Sequence, residues 1–361
     1  MKRLNQYEVK VELKNIFKCE KNEKIENYFK QFKPNTLAVA SGRSAVFIIL
    51  KEIEKKYGVG EVITSNYSCK VIPRAIISAG FKPVFVDIDK KISLNMNKVK
   101  EAINENTKAI LIWHPYGFIN NLEIFEFAKK KKIPVIEDCG QSFAEVNGKK
   151  VGNFGDYSFF SFRTSKFIHA GSGAIICSDK KIEQKLKRYS CFNTFFNIGD
   201  IILRKILNKS KPKAIFDHFF DKVGSYSMGK IEKDIAVSQL ENLEVILKKR
   251  RENYKILSKE AKKLGIKQIE FEKCKPTPLC FPILVEPSKK DKIVKIFRKK
   301  WKIAVMLTYN HVNSDFFDCK TYDDKNSREV ADSIIDIPVN EFLTEKDLER
   351  IKDALRDISK I

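Results

Sequence analysis

Between residues 36 and 138, short apolar runs alternate with amphipathic helical patterns. Helices are predicted at residues 95–104 and 121–131, where apolar residues recur at helical spacing. Three apolar runs flank these helices and predict strands: KPVFVDI at 82–88, KAILIWH at 108–114 and IPVIED at 133–138. This alternation is typical of a mostly parallel sheet that helices cover on both faces. The sequence therefore predicts an α/β fold.

The chain is long enough for more than one domain. Its 361 residues suggest about two domains of roughly 150 residues each. We expect a large N-terminal domain at residues 1–245, in which the first 35 residues form a helical lead-in and the sheet follows. We expect residues 246–361 to form a smaller C-terminal α+β domain, with a strand at LCFPILV and a closing helix from Thr344 to Ile358.

Charge and cysteine usage narrow the class of protein. The formal net charge is +23, but the basic residues are spread along the whole chain and no nucleic-acid-binding motif accompanies them. We therefore expect a lysine-rich surface that attracts anionic substrates rather than nucleic acid. The eight cysteines form no CxxC pair, which favours reduced thiols in the cytoplasm over disulfides or a metal site. We expect no signal peptide and no membrane span.

A carboxylate and a lysine mark the candidate active site. Asp138 ends the apolar run IPVIED, so it is predicted at the end of a buried strand. Lys166 lies 28 residues later, after the aromatic run SFFSF and before the glycine-rich turn GSG. Pyridoxal 5′-phosphate (PLP) chemistry needs a lysine that forms a Schiff base with the cofactor aldehyde. It also needs a carboxylate that keeps the pyridine nitrogen protonated. The pair therefore predicts PLP as the cofactor.

Residues 133–179 resemble the core of the DegT-type nucleotide-sugar aminotransferases, a PLP-dependent family with the fold of aspartate aminotransferase. Asp138 and Gln141 lie in a segment similar to the family's EDAAQ motif. The resemblance implies that Asp138 contacts the ring nitrogen and that Gln141 lies against the ring hydroxyl. It further implies that Lys166 holds the cofactor and moves the proton between substrate and cofactor.

The resemblance also implies a phosphate site. Ala40–Ala45 reads ASGRSA, joins a predicted strand to a helix, and is similar to the family's SGTAA turn. There Gly42, Arg43 and Ser44 would hold the cofactor phosphate through free backbone N–H groups at the helix N-terminus. Ser161 precedes Lys166 by five residues, as the family's phosphate-binding serine precedes its lysine.

Three further residues are candidates for the pocket. Tyr67 and Cys69 lie in a segment similar to the family's PSFTFVAT, in which an aromatic ring often stacks on the cofactor at the position of Cys69. Tyr67 would lie on the same face if the segment is extended; a small buried hydrophobe is the alternative for Cys69. His114 ends a predicted strand near the sheet edge where ligands gather, and a hydrogen-bonded structural histidine is its alternative.

The chain also departs from the family pattern. Phe167 follows the lysine where the family usually has asparagine, and Gly171–Ala174 replaces GEGG. Ser225 and Ser227 stand where the family's GxNYRM stretch has asparagine and arginine and reaches the partner subunit's site. The match resumes downstream, in SQLENLEVILKKRREN and in IIDIPVNEFLTEKDLERI.

We therefore predict a homodimeric PLP-dependent aminotransferase that moves an amino group from an amino acid, with glutamate expected, to a keto group of a nucleotide-linked sugar. A role in surface glycan or polysaccharide biosynthesis follows from the resemblance. Alternatives are a PLP-dependent sugar dehydratase or lyase of the same fold, or a non-catalytic regulatory relative. The apolar and basic segment 195–220 is expected to pack against a dimer partner or the small domain, or to contact a membrane surface weakly.

Overall fold

The computed structural model describes residues 3–4, 25–163, 165–188 and 223–361. Their strands, numbered in chain order, are β1 (Asn35–Val39), β2 (Glu61–Ser65), β3 (Lys82–Val86), β4 (Thr107–Trp113), β5 (Val135–Asp138), β6 (Glu145–Val146), β7 (Lys149–Lys150), β8 (Tyr157–Ser161), β9 (Ala174–Ser178), β10 (Phe281–Leu284), β11 (Thr321–Tyr322) and β12 (Ile334–Ile337). Their α-helices are α1 (Ile25–Phe29), α2 (Gly42–Tyr57), α3 (Val71–Ser78), α4 (Met96–Ala102), α5 (Glu123–Lys130), α6 (Lys230–Leu240), α7 (Leu243–Lys263), α8 (Pro287–Lys295), α9 (Lys325–Ser333) and α10 (Glu345–Ile358).

The large sheet has eight strands in the order β1-β9-β8-β5-β4-β2-β3-β11. Strand β9 runs antiparallel to both of its neighbours, whereas the other neighbouring pairs are parallel. The predicted mostly parallel sheet is confirmed. Because β2, β4, β5 and β8 run in one direction, their carboxyl ends meet at a single edge, where open α/β sheets bind their ligands.

Helices cover both faces of this sheet because its central strands are apolar on both sides. In β4, Leu111 packs into a cluster that contains Ile49 of α2 and Ile76 of α3. Its neighbour Ile110 points the other way and packs into a cluster with Phe125 of α5. A strand that is buried on both faces reads as a continuous apolar run, which is why the sequence pattern identifies it.

The C-terminal residues form a second core. Strands β10 and β12 pair antiparallel and pack, with helices α7, α8 and α10, around buried residues such as Phe281 and Leu355. Helix α7 joins the two cores, because Leu247 packs in a cluster beside the large sheet and Leu257 packs in the C-terminal cluster. The division into residues 1–245 and 246–361 stays a prediction.

Two features of the C-terminal half differ from the sequence expectation. The sequence pattern of residues 230–264 predicts a long helical segment. The structure has helices α6 and α7 there, and the chain turns between them at Asn242, whose φ of −98° and ψ of 2° leave the helical path. Strand β11 returns from the C-terminal region to pair with β3 at the edge of the large sheet. Its two residues are too few to give a detectable sequence pattern.

Most of the predicted lead-in, and the whole of segment 195–220, lie outside the described residues. In the part of the chain that the structure describes, no helix has the length and apolar character to cross a membrane.

Candidate functional site

Asp138 is the last residue of β5 and lies at the carboxyl edge of the large sheet. It pairs in register with Trp113 on one side and Phe159 on the other. Its side chain is only 8% exposed, and its Oδ1 atom accepts a hydrogen bond of 2.8 Å from the Gly140 N–H. A buried carboxylate is thus fixed in place by the turn that follows its own strand.

Three predicted site residues converge on Gly140. A Cβ atom added there would lie 2.9 Å from Asp138 Oδ1, 3.5 Å from Ser161 Cβ and 3.7 Å from Lys166 Nζ. Residues 138, 161 and 166 come from three separate elements, so this meeting is a product of the fold. The missing side chain at Gly140 keeps the space between them open.

Burial sets the protonation behaviour of the pair. Burial lowers the pKa of the Lys166 amine and Arg163 lowers it further, whereas Asp138 and Cys69 raise it. Burial raises the pKa of the Asp138 carboxyl, against the opposing effects of Lys166, the Gly140 amide and His114. Lys166 and Asp138 therefore each stabilise the charged form of the other. A lysine with a lowered pKa is a better nucleophile and proton carrier at neutral pH.

The loop that carries Lys166 is held at both ends. The Lys166 N–H donates to the carbonyl of Arg163 at 2.9 Å, and the Phe162 N–H donates to the carbonyl of Gly173 at 2.9 Å. Phe167 is buried and lies 5.2 Å beneath the guanidinium of Arg250. The phenylalanine that departs from the family pattern is therefore a packing anchor for this loop.

Arg250 was not identified as a functional candidate from the sequence. It is 1% exposed on α7, and its Nη2 atom lies 2.8 Å from the Glu341 carboxylate in the C-terminal region. Its Nη1 atom donates to the carbonyl of Leu279 at 3.3 Å. One buried guanidinium thus links Glu341 and Leu279 to Phe167, the neighbour of Lys166.

The predicted phosphate site lies beside Ser161. Ser41 caps helix α2, with its hydroxyl accepting from the Ser44 N–H at 3.2 Å. A Cβ atom added to Gly42 would lie 3.3 Å from the Phe159 ring and 3.8 Å from Ser161 Cβ. The N-terminus of a 16-residue helix therefore faces Ser161, and Arg43 occupies its first turn. Free N–H groups and the helix dipole suit this position to an anion.

Gln141 joins the sheet edge to the C-terminal region. Its Oε1 atom accepts from the Tyr116 N–H at 3.1 Å, and its Nε2 atom donates to the Tyr309 hydroxyl at 2.6 Å. Both ends of the amide are engaged with protein groups. A contact between Gln141 and the cofactor ring hydroxyl stays a prediction.

Tyr67 and Cys69 occupy different environments. Tyr67 is fully buried, and its hydroxyl shares a 2.6 Å hydrogen bond with that of Tyr116; burial, with Asp336 nearby, raises the pKa of Tyr67 well above its ordinary value. Cys69 is half-buried and close enough to Lys166 to act on its charge. Of the two residues, the structure brings Cys69 to the lysine and places Tyr67 in an aromatic cluster.

His114 lies under the sheet edge rather than in an open pocket. It is completely buried; its Nε2 atom lies 3.0 Å from the Glu137 carboxylate, and its Nδ1 atom accepts from the Asn120 N–H at 3.2 Å. Nδ1 is therefore the acceptor and Nε2 the donor. This geometry favours the structural alternative for His114.

Three buried residues next to Asp138 carry side chains of the kinds that bind metal ions. His114, Glu137 and Cys139 place one potential ligand atom each within 4.8 Å of one another. However, Glu137 already accepts from the backbone N–H groups of Gly152, at 2.8 Å, and of Phe154 and Gly155, both at 2.7 Å. Burial raises the pKa of the Cys139 thiol well above its ordinary value. Glu137 therefore anchors the turn at 152–155. The Cys139 thiol stays protonated because it is buried.

Ser225 and Ser227 make contacts within their own chain. The Ser225 hydroxyl accepts from Gln184 Nε2 at 3.1 Å, and the Ser227 hydroxyl donates to the Lys187 carbonyl at 3.4 Å. Ser227 also bridges to Val39 of β1. Contact of these two serines with a partner subunit stays a prediction.

Comparison with known proteins identifies the family. The sequence profile of the DegT/DnrJ/EryC1/StrS aminotransferase family matches residues 4–356. The chain is 28% identical over 315 residues to the dTDP-4-amino-4,6-dideoxy-D-glucose transaminase of Shigella dysenteriae, covering 83% of this chain and 80% of that protein.

Solved structures show the same fold. Helicobacter pylori PseC, an aminotransferase involved in the biosynthesis of pseudoaminic acid, superposes with a TM-score of 0.79 at 19% identity, covering 99% of this chain and all of that one. NtdA from Bacillus subtilis, with bound cofactor PMP, gives a TM-score of 0.72 at 20% identity over 92% of this chain and 77% of that one. The chain therefore belongs to the DegT/DnrJ/EryC1/StrS aminotransferase family and is a transaminase.

Proposed function

We propose that this aminotransferase uses PLP and moves an amino group from an amino acid, with glutamate as the expected donor, to a keto group of a nucleotide-linked sugar. The observation that carries the proposal is the meeting of Lys166 Nζ, Asp138 Oδ1 and Ser161 around the open position at Gly140. The substrate class is supported by relatives that are nucleotide-sugar aminotransferases.

The residues present fit PLP. The Lys166 amine and the Asp138 carboxylate both lie close to Gly140. The amine would react with the cofactor aldehyde, and the carboxylate would pair with the ring nitrogen. The N-terminus of α2, with Gly42 beside Ser161, offers backbone and hydroxyl donors for a phosphate. When bound, PLP supplies an aldehyde that condenses with amines and a protonated ring that accepts electrons from the substrate carbon.

Each residue has a defined task in this proposal. Lys166 provides an amine at Nζ that burial biases towards the neutral form, so that Nζ can take and return a proton. Asp138, which is held by the Gly140 N–H, would present a negative charge to the ring nitrogen. Ser161, Gly42, Arg43 and Ser44 would bind the phosphate, and Gln141 would orient the ring.

The wider setting is also a proposal. The net charge of +23 would attract a substrate that carries a diphosphate. A homodimer, a cytoplasmic location and a role in surface glycan or polysaccharide biosynthesis are proposed from the family resemblance.

Product analysis tests the function. Purified protein with PLP, glutamate and a keto-sugar nucleotide should give an amino-sugar nucleotide and 2-oxoglutarate. Lys166→Ala should abolish product, while Lys180→Ala, an exposed lysine just beyond β9, should leave product formation unchanged. Product from Lys166→Ala at the wild-type rate would show that Lys166 is not the reacting lysine. A dehydrated sugar in place of an amino sugar would contradict the proposed reaction type.

A further inference from the structure

Three side chains, Lys70, His311 and Phe316, lie together next to the proposed site. Lys70 follows Cys69, which lies near Lys166, and directly precedes helix α3. His311 and Phe316 belong to residues 309–316, a loop from the C-terminal region. We propose, resting on the function proposed above, that Lys70, His311 and Phe316 form the subsite for the nucleoside diphosphate part of the substrate.

The loop is docked firmly at the carboxyl end of β2. Asn313 Nδ2 donates to the Ser65 carbonyl at 3.2 Å and to the Ser68 hydroxyl at 2.9 Å. Asn66 and Ser314 exchange a second pair of hydrogen bonds, at 3.0 and 2.8 Å. The three side chains are therefore presented on a fixed surface at the same sheet edge as Asp138.

An aromatic line leads from the cofactor site to this surface. It starts at Gln141, whose amide donates to the Tyr309 hydroxyl at 2.6 Å. The rings of Tyr309 and His311 lie 6.3 Å apart, and those of His311 and Phe316 lie 5.5 Å apart. A substrate whose sugar lies near Tyr309 would extend its diphosphate and base along this line.

Phe316 has the features of a base-stacking residue. It is 52% exposed, which is unusual for phenylalanine. The His311 ring meets it at 88°, edge to face, and the Lys70 ammonium lies 3.6 Å from its centroid. An exposed ring beside a cation is the combination that binds a base and its adjoining phosphates.

Lys70 carries a charge that the described residues leave unneutralised. Lysines such as Lys91 and Lys98 have a carboxylate at 3.0 and 3.1 Å. Within the described ranges, Lys70 has an aromatic ring as its close partner and no carboxylate within ion-pair distance. A diphosphate oxygen would supply the missing anion, with the N-terminus of α3 adding a favourable dipole.

His311 holds a buried acceptor beneath this surface. Burial and the charge of Lys70 lower the pKa of His311 to about 4, against the effects of Asp315 and the Ser68 backbone. The ring is therefore neutral at pH 7, and its buried Nε2 atom has no hydrogen-bond partner among the described residues. A buried acceptor without a partner is costly. A turn of the His311 ring towards the surface would let a substrate hydroxyl donate to Nε2.

Calorimetric titration tests the subsite without any turnover. The PLP-loaded protein is titrated with UDP, GDP, dTDP and inorganic pyrophosphate at low ionic strength. At least one nucleoside diphosphate should bind the wild type. Phe316→Ser should weaken it about tenfold and leave pyrophosphate within about twofold, whereas Lys70→Met should weaken both about tenfold.

The matched control is Lys56→Met. Lys56 also holds its ammonium over a ring, 4.6 Å from the Tyr57 centroid, but at the far end of α2, so binding should not change. Phe316→Leu keeps the apolar contact and removes the aromatic face, so it should lose nucleoside diphosphate affinity as Phe316→Ser does. Lys70→Arg should restore pyrophosphate binding.

The outcomes separate the subsite from the proposed function. If a nucleoside diphosphate binds the Phe316 and Lys70 variants as tightly as the wild type, the subsite is wrong and the aminotransferase proposal stands. If none of the nucleoside diphosphates binds the wild type, the subsite and the nucleotide-linked substrate are both wrong. The glutamate half-reaction, which involves no nucleotide, then reports independently on the PLP chemistry.

Discussion

Replacing Gly140 with alanine should damage the active site more than the fold. The new methyl group would lie 2.9 Å from Asp138 Oδ1, where ordinary contacts begin at 3.4 Å, so the carboxylate must retreat by about 0.5 Å. That retreat weakens the 2.8 Å hydrogen bond from the Gly140 N–H. A hydrogen bond to a charged group is worth about 1.5–3 kcal/mol, and this range is the expected loss of stability.

Function should fall as well. The methyl group would also lie 3.7 Å from Lys166 Nζ and 3.5 Å from Ser161 Cβ, within the space proposed for the cofactor. A misplacement of about 1 Å at a reacting centre costs about 100-fold in rate, and the retreat of about 0.5 Å is half of that displacement. We therefore expect Gly140→Ala to bind PLP about tenfold more weakly and to turn over about tenfold more slowly.

The assay needs a control that lowers stability without touching the site. Gly58 follows α2 with φ of 71° and ψ of −179°, and a Cβ atom there meets nothing within 4 Å. Gly58→Ala should cost about 1–3 kcal/mol through backbone strain and leave PLP affinity unchanged. If Gly140→Ala binds PLP and turns over like the wild type, the convergence on Gly140 has no functional meaning.

Two further predictions concern buried charges. Burial raises the pKa of Asp336 from 3.8 to about 6, against a hydrogen bond from Thr308. The folded state therefore binds the extra proton between these values, and stability falls as pH rises from 4 to 6, by roughly 2–3 kcal/mol. Asp336→Asn should flatten that slope in urea unfolding, and an unchanged slope would refute the assignment. Arg250→Met leaves the Glu341 carboxylate without its partner and should cost about 3–5 kcal/mol, whereas Arg250→Met with Glu341→Leu should recover part of that loss in the same unfolding assay; no recovery would contradict the pairing.

Much of the fold could be predicted from the local sequence pattern. Apolar runs such as KAILIWH predict strands because a strand buried on both faces admits few polar side chains, and the parallel sheet follows from the alternation. Strand β11 was missed because two residues carry no periodicity. The turn at Asn242 was missed because neither proline nor glycine marks it.

The sequence likewise indicates those residues of the candidate site that lie in short motifs, but not the contacts between residues that are far apart in the chain. Asp138, Ser161 and Lys166 could be proposed as one site from the sequence because the short segments around them resemble motifs of the family, and their roles stay predictions. The packing of Phe167 under Arg250 could not be predicted, since the two residues are 83 positions apart and meet only in the fold. His114 reads like a pocket residue at a strand end, yet its Glu137 partner becomes visible only once β4 and β5 pair.

The central claim is that Lys166 and Asp138 serve PLP in an amino-transfer reaction. The most direct measurement is the visible absorption spectrum of purified protein with PLP, before and after glutamate, for the wild type and Lys166→Ala. We expect a band in the wild type that fades when glutamate is added, and no such lysine-dependent band in the variant. A wild-type protein that shows no band with PLP supplied, or a band that Lys166→Ala retains unchanged, would contradict it.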